Sequence, residues 1–208
     1  EAYAMLMRGI VQLPDYLERL QSGHRDIPVV LLPLLNDLRA ARGQKLLSET
    51  ALFSPDLTQP LPDSLASPSP ELGERQLRVA AAKIRKAFEA SLGQWFRADG
   101  DFGLIERLQS CCGKLLQVTH HEAGRRLWWV AGGVFDGLRM GAVKPNGALK
   151  LLIGKIDRQI KGLALKGESF FDSGEAQELT RGLLYYAAHG GTGSRLIDDL
   201  KERYDLAA

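Results

Sequence analysis

Cysteine is nearly absent from this sequence of 208 residues: there are two, Cys111 and Cys112, side by side. Neighbouring cysteines rarely close a disulfide, so no disulfide framework holds the chain, and a reducing, cytoplasmic setting is expected. Two thiols also fall short of the roughly four ligands of a structural zinc site, and further ligands are lacking nearby, so no metal is expected. Long apolar runs are missing too. None approaches the ~18 residues of a membrane span, and no signal peptide opens the chain, so no membrane insertion is expected. Nor is there an excess of one charge: 27 basic residues stand against 25 acidic ones, which gives no global signal for nucleic acid or membrane. A strand-like alternation of useful length occurs nowhere.

What is present is helical periodicity. Leu6, Ile10, Leu13, Leu17 and Leu20 form the stripe of a helix packed on a partner helix, with a kink or a fresh start expected at Pro14. Asp26 is placed to cap a second helix carrying Leu31, Leu34, Leu35 and Leu38; Pro33 argues for a kink or a late start, and Gly43 stops it. Residues 48–70 hold Pro55, Pro60, Pro62, Pro68 and Pro70, which exclude regular structure. Their first half, with Phe53, Leu57 and Leu61, suits an extended path along a surface; 62–70 suits a flexible linker. The expected organisation is therefore a helical pair (1–47), a Pro/Ser-rich connection (48–70) and a helical bundle (71–208), with the pair and the bundle forming one domain as the alternative. Glu1 lies inside a helical pattern with no initiator Met, so the chain reads as a piece of a longer protein.

From Glu71 onward stripe follows stripe. The first is Leu77, Ala81, Ile84, Phe88 and Trp95, helped by the pairs Glu71–Arg75 and Glu74–Arg78. After a turn at Asp99–Gly103 come Phe102, Ile105, Leu108, Cys112, Leu115 and Leu116, which makes Cys112 a core residue. Thr119–Met140 reads as one long helix with Leu127, Val130, Ala131, Val134, Phe135 and Leu138 on a broad face and Trp128 and Trp129 at its edges. Gly132, Gly133 and Gly137 each cost a helix about 1 kcal/mol against Ala, so a neighbouring helix should approach closely there. Lys144–Gly147 ends it. Further helices follow at 148–165, at 174–188, and after Ser194 with Leu196, Ile197, Leu200 and Tyr204. The fold class is all-α: a bundle of about eight helices.

The candidate chemistry is thin. His120 is the candidate phosphoacceptor. A phosphotransfer bundle presents an exposed histidine on a helix, a lysine at +3 to neutralise the phosphoryl group, and a glycine at +4 that leaves room for a docking partner. Gly124 stands at +4, but Ala123 occupies +3, and Arg125 and Arg126 lie on another face. His121 has Arg125 at +4, and His189 with Gly193 at +4 sits in a helix stop. The run Gly190-Gly191-Thr192-Gly193-Ser194 lacks the lysine and spacing of a P-loop and reads as a turn. Lys144–Lys166 holds six basic residues and one acid. It offers an acidic partner or nucleic acid a surface, but its charges surround the helix and no aromatics interleave; a solvated face is favoured and no nucleic acid is expected. No paired carboxylates, no Ser/His/Asp set and no cofactor motif are found, so the chain itself does not read as an enzyme.

Four stretches carry a resemblance. MRGIVQLPDYLERL with VVLLPLLNDLRAARG (Met7–Leu20 and Val29–Gly43), RRLWWVAGGVFDGL (Arg125–Leu138) and GLLYYAAHGGTGSRLIDDLKERYDL (Gly182–Leu206) resemble the N-terminal portion of CheA-type hybrid histidine kinases of type IV pilus chemosensory systems, the ChpA or PilL kind, in the region shared with the FimL scaffold. The resemblance implies a cytoplasmic, multi-domain histidine kinase governing twitching motility as the parent. This piece would then be a phosphotransfer-like domain without the complete signature, which Ala123 matches. The leading expectation is a degenerate phosphotransfer-like docking domain whose partners are a response regulator or a pilus-system scaffold. The alternatives are an active phosphotransfer domain relaying phosphate through His120, and a helical nucleic-acid-binding module.

Overall fold

The computed structural model describes residues 2–24, 28–65, 68, 72–97 and 100–206. The expected cap at Asp26, the Glu71–Arg75 pair, Asp99 and Pro70 fall outside them. The elements are α1 (Ala2–Gln21), a 3-10 turn (Pro28–Leu31), α2 (Leu32–Ala41), the short α3 (Glu49–Leu52), α4 (Glu74–Trp95), α5 (Phe102–Val118), α6 (Glu122–Arg139), α7 (Gly147–Lys166), a 3-10 segment (Glu168–Ser173), α8 (Glu175–Ala188) and α9 (Arg195–Arg203). Among the described residues there is no strand, and the class is all-α as the periodicity predicts. The chain divides into two compact units, Glu1–Ser54 and Pro55–Ala208.

In the first unit α1 packs beside α2. Arg8 reaches Asp37 across the pair at 2.8 Å, and Asn36 clips the following loop by exchanging hydrogen bonds with the Leu47 backbone (2.7 and 3.0 Å). Helix α1 runs through Pro14 without a break. The carbonyl that Pro14 leaves unpaired belongs to exposed Ile10, where water can take it. Of the expected stripe only Leu20 turns inward; Leu6, Ile10, Leu13 and Leu17 are exposed. The half-buried residues are Met5, Gly9, Tyr16 and Leu20, roughly a quarter turn away from Leu6, Ile10, Leu13 and Leu17. Leu34 is the only buried hydrophobic residue among those described here.

In the second unit five helices close a ring: α4 on α5, α5 on α6, α6 on α8, α8 on α7, and α7 back on α4. Phe88 of α4 and Phe135 of α6 meet edge to face inside it, ring centroids 6.1 Å apart. Helix α9 covers α6 and α8. The predicted stripes supply this core, with one correction: Phe102, at the first position of α5, is 60% exposed. Helix starts follow cap chemistry, the Asp101, Asn146 and Ser194 side chains accepting backbone N–H groups of α5, α7 and α9. Part of the Pro-rich stretch also belongs to this unit. Asp56 folds it locally by accepting from Thr58 N–H (2.9 Å), Thr58 Oγ1 (2.6 Å) and Gln59 Nε2 (3.0 Å), and the Thr58 bonds lead in holding its carboxyl below the usual range.

Helix α6 is the spine. It touches α5, α8, α9 and the second 3-10 segment, and nearly every one of its residues is buried. Of Gly132, Gly133 and Gly137, two answer to neighbours. A Cβ on Gly133 would stand 2.6 Å from Leu200 Cδ1, and one on Gly137 would stand 2.8 Å from Val143 and 2.9 Å from Ile197. Gly132 meets nothing closer than 3.9 Å, so close approach does not explain it.

Candidate functional site at the start of helix α6

The α5–α6 junction was expected to lie inside one long helix from Thr119 to Met140. The helix instead begins at Glu122, and the physical reason is Thr119. It ends α5 in extended backbone, its hydroxyl takes the Trp128 indole N–H (3.0 Å), and its carbonyl, with that of Leu116, takes the Arg125 guanidinium (3.2 and 2.8 Å). Thr119 and Trp128 are both buried, so this bond spans the junction inside the core.

His120 therefore sits on the turn before α6, with an exposed side chain. Its backbone N–H and that of His121 both donate to Glu168 Oε1, at 2.5 and 3.0 Å. Glu168 thus does for α6 what a capping side chain does, satisfying N–H groups at the helix entrance with a negative charge. The His121 imidazole lies between Asp172, whose Oδ1 is 3.3 Å from Nε2, and the Phe171 ring, centroid to centroid 5.5 Å. His121 Nδ1 is buried with no hydrogen-bond partner, so the tautomer with its proton on Nε2, donated to Asp172, fits the surroundings.

The positions that follow His120 turn inward. Ala123 and Gly124 are both buried. A Cβ on Gly124 would come within 2.6 Å of Phe171 Cε2 and 2.8 Å of Thr119 Cγ2, so this glycine makes room for the chain's own phenylalanine. The two arginines are spent internally. Burial lowers the pKa of Arg125, which holds the end of α5. Arg126 donates to the Gln59 carbonyl (2.6 Å) and Tyr204 Oη (3.0 Å), and pairs with Glu122. It thereby ties the Pro-rich stretch to α6 and α9. Burial raises the Tyr204 pKa, against the pull of that guanidinium.

The other candidates divide in the same way. His189 ends α8, bonded to the Tyr185 carbonyl (2.8 Å) and with its ring tilted against the Tyr185 ring, centroids 4.3 Å apart. The turn after it is stitched from within: Gly191 N–H to Ala142 O (2.7 Å), Lys201 Nζ to Gly190 O (2.6 Å), and Ser194 Oγ to buried Asp136 (2.6 Å), which also holds Arg139. Cys111 and Cys112 are free thiols in the core, and burial pushes Cys112 far above the ordinary thiol range. Among the described residues no group of three or more His, Cys, Asp or Glu is placed to hold a metal, and no helix is long and apolar enough to cross a membrane. Sequence reading missed Glu168 and Asp172. They lie 48 and 51 residues from the histidines they hold, and no local spacing announces them.

The fold and this junction define an all-α helical domain in which Glu168, Thr119 and Arg125 hold the entrance of α6. The comparisons give that class a family. Residues 73–208 match the family described as the FimL scaffold protein second domain, and the chain belongs to that family. Along 98% of its length it is 30% identical to the scaffold protein FimL of Pseudomonas aeruginosa. It spans about a third (35%) of that relative. No solved structure matches the chain.

Proposed function

We propose that this chain is a docking domain of a chemosensory complex governing type IV pilus twitching motility, with a phosphotransfer-like bundle that no longer accepts phosphate. Its parent is a cytoplasmic two-component protein of the hybrid histidine kinase kind, and its partners are a response regulator or a pilus-system scaffold. One observation carries the reading. Where a phosphoacceptor helix would show a lysine and an open glycine, Ala123 and Gly124 are buried, Gly124 against Phe171, and Arg125 and Arg126 are bonded to the chain's own carbonyls. A phosphoryl group on His120 would find at this turn Glu168, an acid bonded to the His120 backbone N–H. The relative's name, a scaffold protein, supports the same reading. The test is capture on the immobilised chain of the purified kinase core and response regulators of a type IV pilus chemosensory system, without ATP. Stable retention of at least one is expected; retention of none would refute the docking role.

A second reading has one observation in its favour: the His120 side chain is exposed. In it His120 receives phosphate from the kinase core and passes it on. Acid-labile label on this chain, lost in His120→Gln, would establish it.

A further inference from the structure

Charge is not shared evenly over this chain. Helices α4 and α7 hold ten of its 27 basic residues and three of its 25 acidic ones, so together they carry a formal +7 and the remainder carries −5. The two helices lie side by side and antiparallel. Arg78 Nε donates to the Ala164 carbonyl (3.2 Å), Arg85 grips both carboxylate oxygens of Asp157 (3.0 and 2.9 Å), and the Lys150 ammonium stands 5.6 Å above the Trp95 ring. The acids of the pair are already engaged: Asp157 and Glu89 with Arg85, Glu74 with Arg78. Arg75, Lys83, Lys86, Lys155 and Lys161 are exposed and, among the described residues, have no acidic partner.

A solvated lysine face needs no apolar floor, yet this one has it. At the Glu74 end of the seam a groove of about 590 Å³ is lined by Glu74, Arg75, Arg78, Val79, Ala82 and Ala164. Val79 is 63% exposed, and Leu151 and Leu165 of α7 are exposed as well. We infer that the α4–α7 seam is a docking site for an acidic amphipathic helix of a partner protein, apolar side chains seated on Val79, Ala82 and Ala164 and carboxylates meeting Arg75, Lys86 and Lys161. The inference rests on the docking role proposed above and names the surface and chemistry of the partner. Nucleic acid fits less well. The aromatic residues of α4, Phe88 and Trp95, are buried, α7 has none, and Glu74 and Glu89 would oppose phosphates. A second copy fits less well too. The acids of α9, Asp198, Asp199 and Glu202, are interleaved with Lys201 and Arg203, so this helix offers the seam a mixed face and not an acidic one.

The test is fluorescence anisotropy of the full chain against labelled synthetic helices with leucine on one face and either glutamate or lysine on the other. The glutamate helix is expected to bind at low salt and the lysine helix to fail. Arg75→Glu with Lys161→Glu, and separately Val79→Asp, should each weaken binding about tenfold or more. The same charge change made elsewhere, Arg42→Glu with Arg195→Glu, should not, with circular dichroism unchanged in every variant. Any of these results would overturn the inference: no binding of the glutamate helix at low salt; equal loss in the control pair; tighter binding of a short DNA duplex, abolished by the seam substitutions; or a dimer of the chain alone that those substitutions dissolve. The docking role is separable. If defined pilus-system components are captured equally by the Arg75→Glu, Lys161→Glu chain, the role stands and the seam falls. If the glutamate helix binds the seam while no component is captured, the seam stands and the role falls.

Discussion

The two units use the same helical grammar with opposite results. Helix α1 carries Leu6, Ile10, Leu13 and Leu17 at spacing as regular as that of Ile105, Leu108, Cys112 and Leu115 in α5. The α5 residues are at most 4% exposed, whereas those of α1 are 45–65% exposed. Periodicity states that a face is apolar; it does not state that anything covers it. The second unit has helices on every side of α6, and the first has one helix pair with Leu34 at its centre. Stability should therefore reside in Pro55–Ala208.

The sharpest test of that contrast is truncation in each unit, followed by chemical denaturation. Phe135→Ala, inside the ring against Phe88, should cost about 3–5 kcal/mol. Leu13→Ala, on the exposed stripe, should stay within about 0.5 kcal/mol. Comparable costs would break the comparison. Glycines give the next effect. Gly137→Leu forces a side chain onto Val143 and Ile197 and should cost about 1–3 kcal/mol. Gly9→Ala, which meets nothing within 4 Å inside α1, should instead stabilise its unit by up to about 1 kcal/mol, seen as slower amide exchange in α1. Capping comes third: Glu168→Ala leaves two N–H groups at the entrance of α6 to water and should cost about 1 kcal/mol. The smallest change is Arg8→Ala. Its pair with Asp37 is exposed on both sides, so a loss below about 1 kcal/mol that fades further with salt is expected.

These pairs also mark what could be read in advance. The class, the stripes of α4, α5, α6 and α9 and the start at Ser194 depend on local spacing and cap chemistry, and those are written in sequence order; Asp101 and Asn146 read only as turn residues, and the structure makes them the caps of α5 and α7. The candidate site was legible only in part. The absence of a lysine at Ala123 is visible in one line of sequence, but the role of Gly124 is not, because Phe171 fills its space from 47 residues away. The start of α6 at Glu122 depends on Thr119 serving Trp128 and Arg125 at once, which no propensity encodes. The order in residues 55–62 likewise depends on Arg126 reaching the Gln59 carbonyl from 67 residues on. Prolines exclude helix there but not a held turn, in which Thr58 and Gln59 fold back on Asp56; ahead of the first proline the short α3, Glu49–Leu52, forms against the expectation of no regular structure over 48–70.

The central claim is that this bundle docks and does not relay. The most direct measurement is phosphotransfer itself: the purified histidine kinase core, radiolabelled ATP and the full chain, followed over time and then treated with acid. The account predicts no label on the chain, with and without His120→Gln, while the kinase's own phosphohistidine forms normally. Acid-labile label on the chain that disappears in His120→Gln would contradict it.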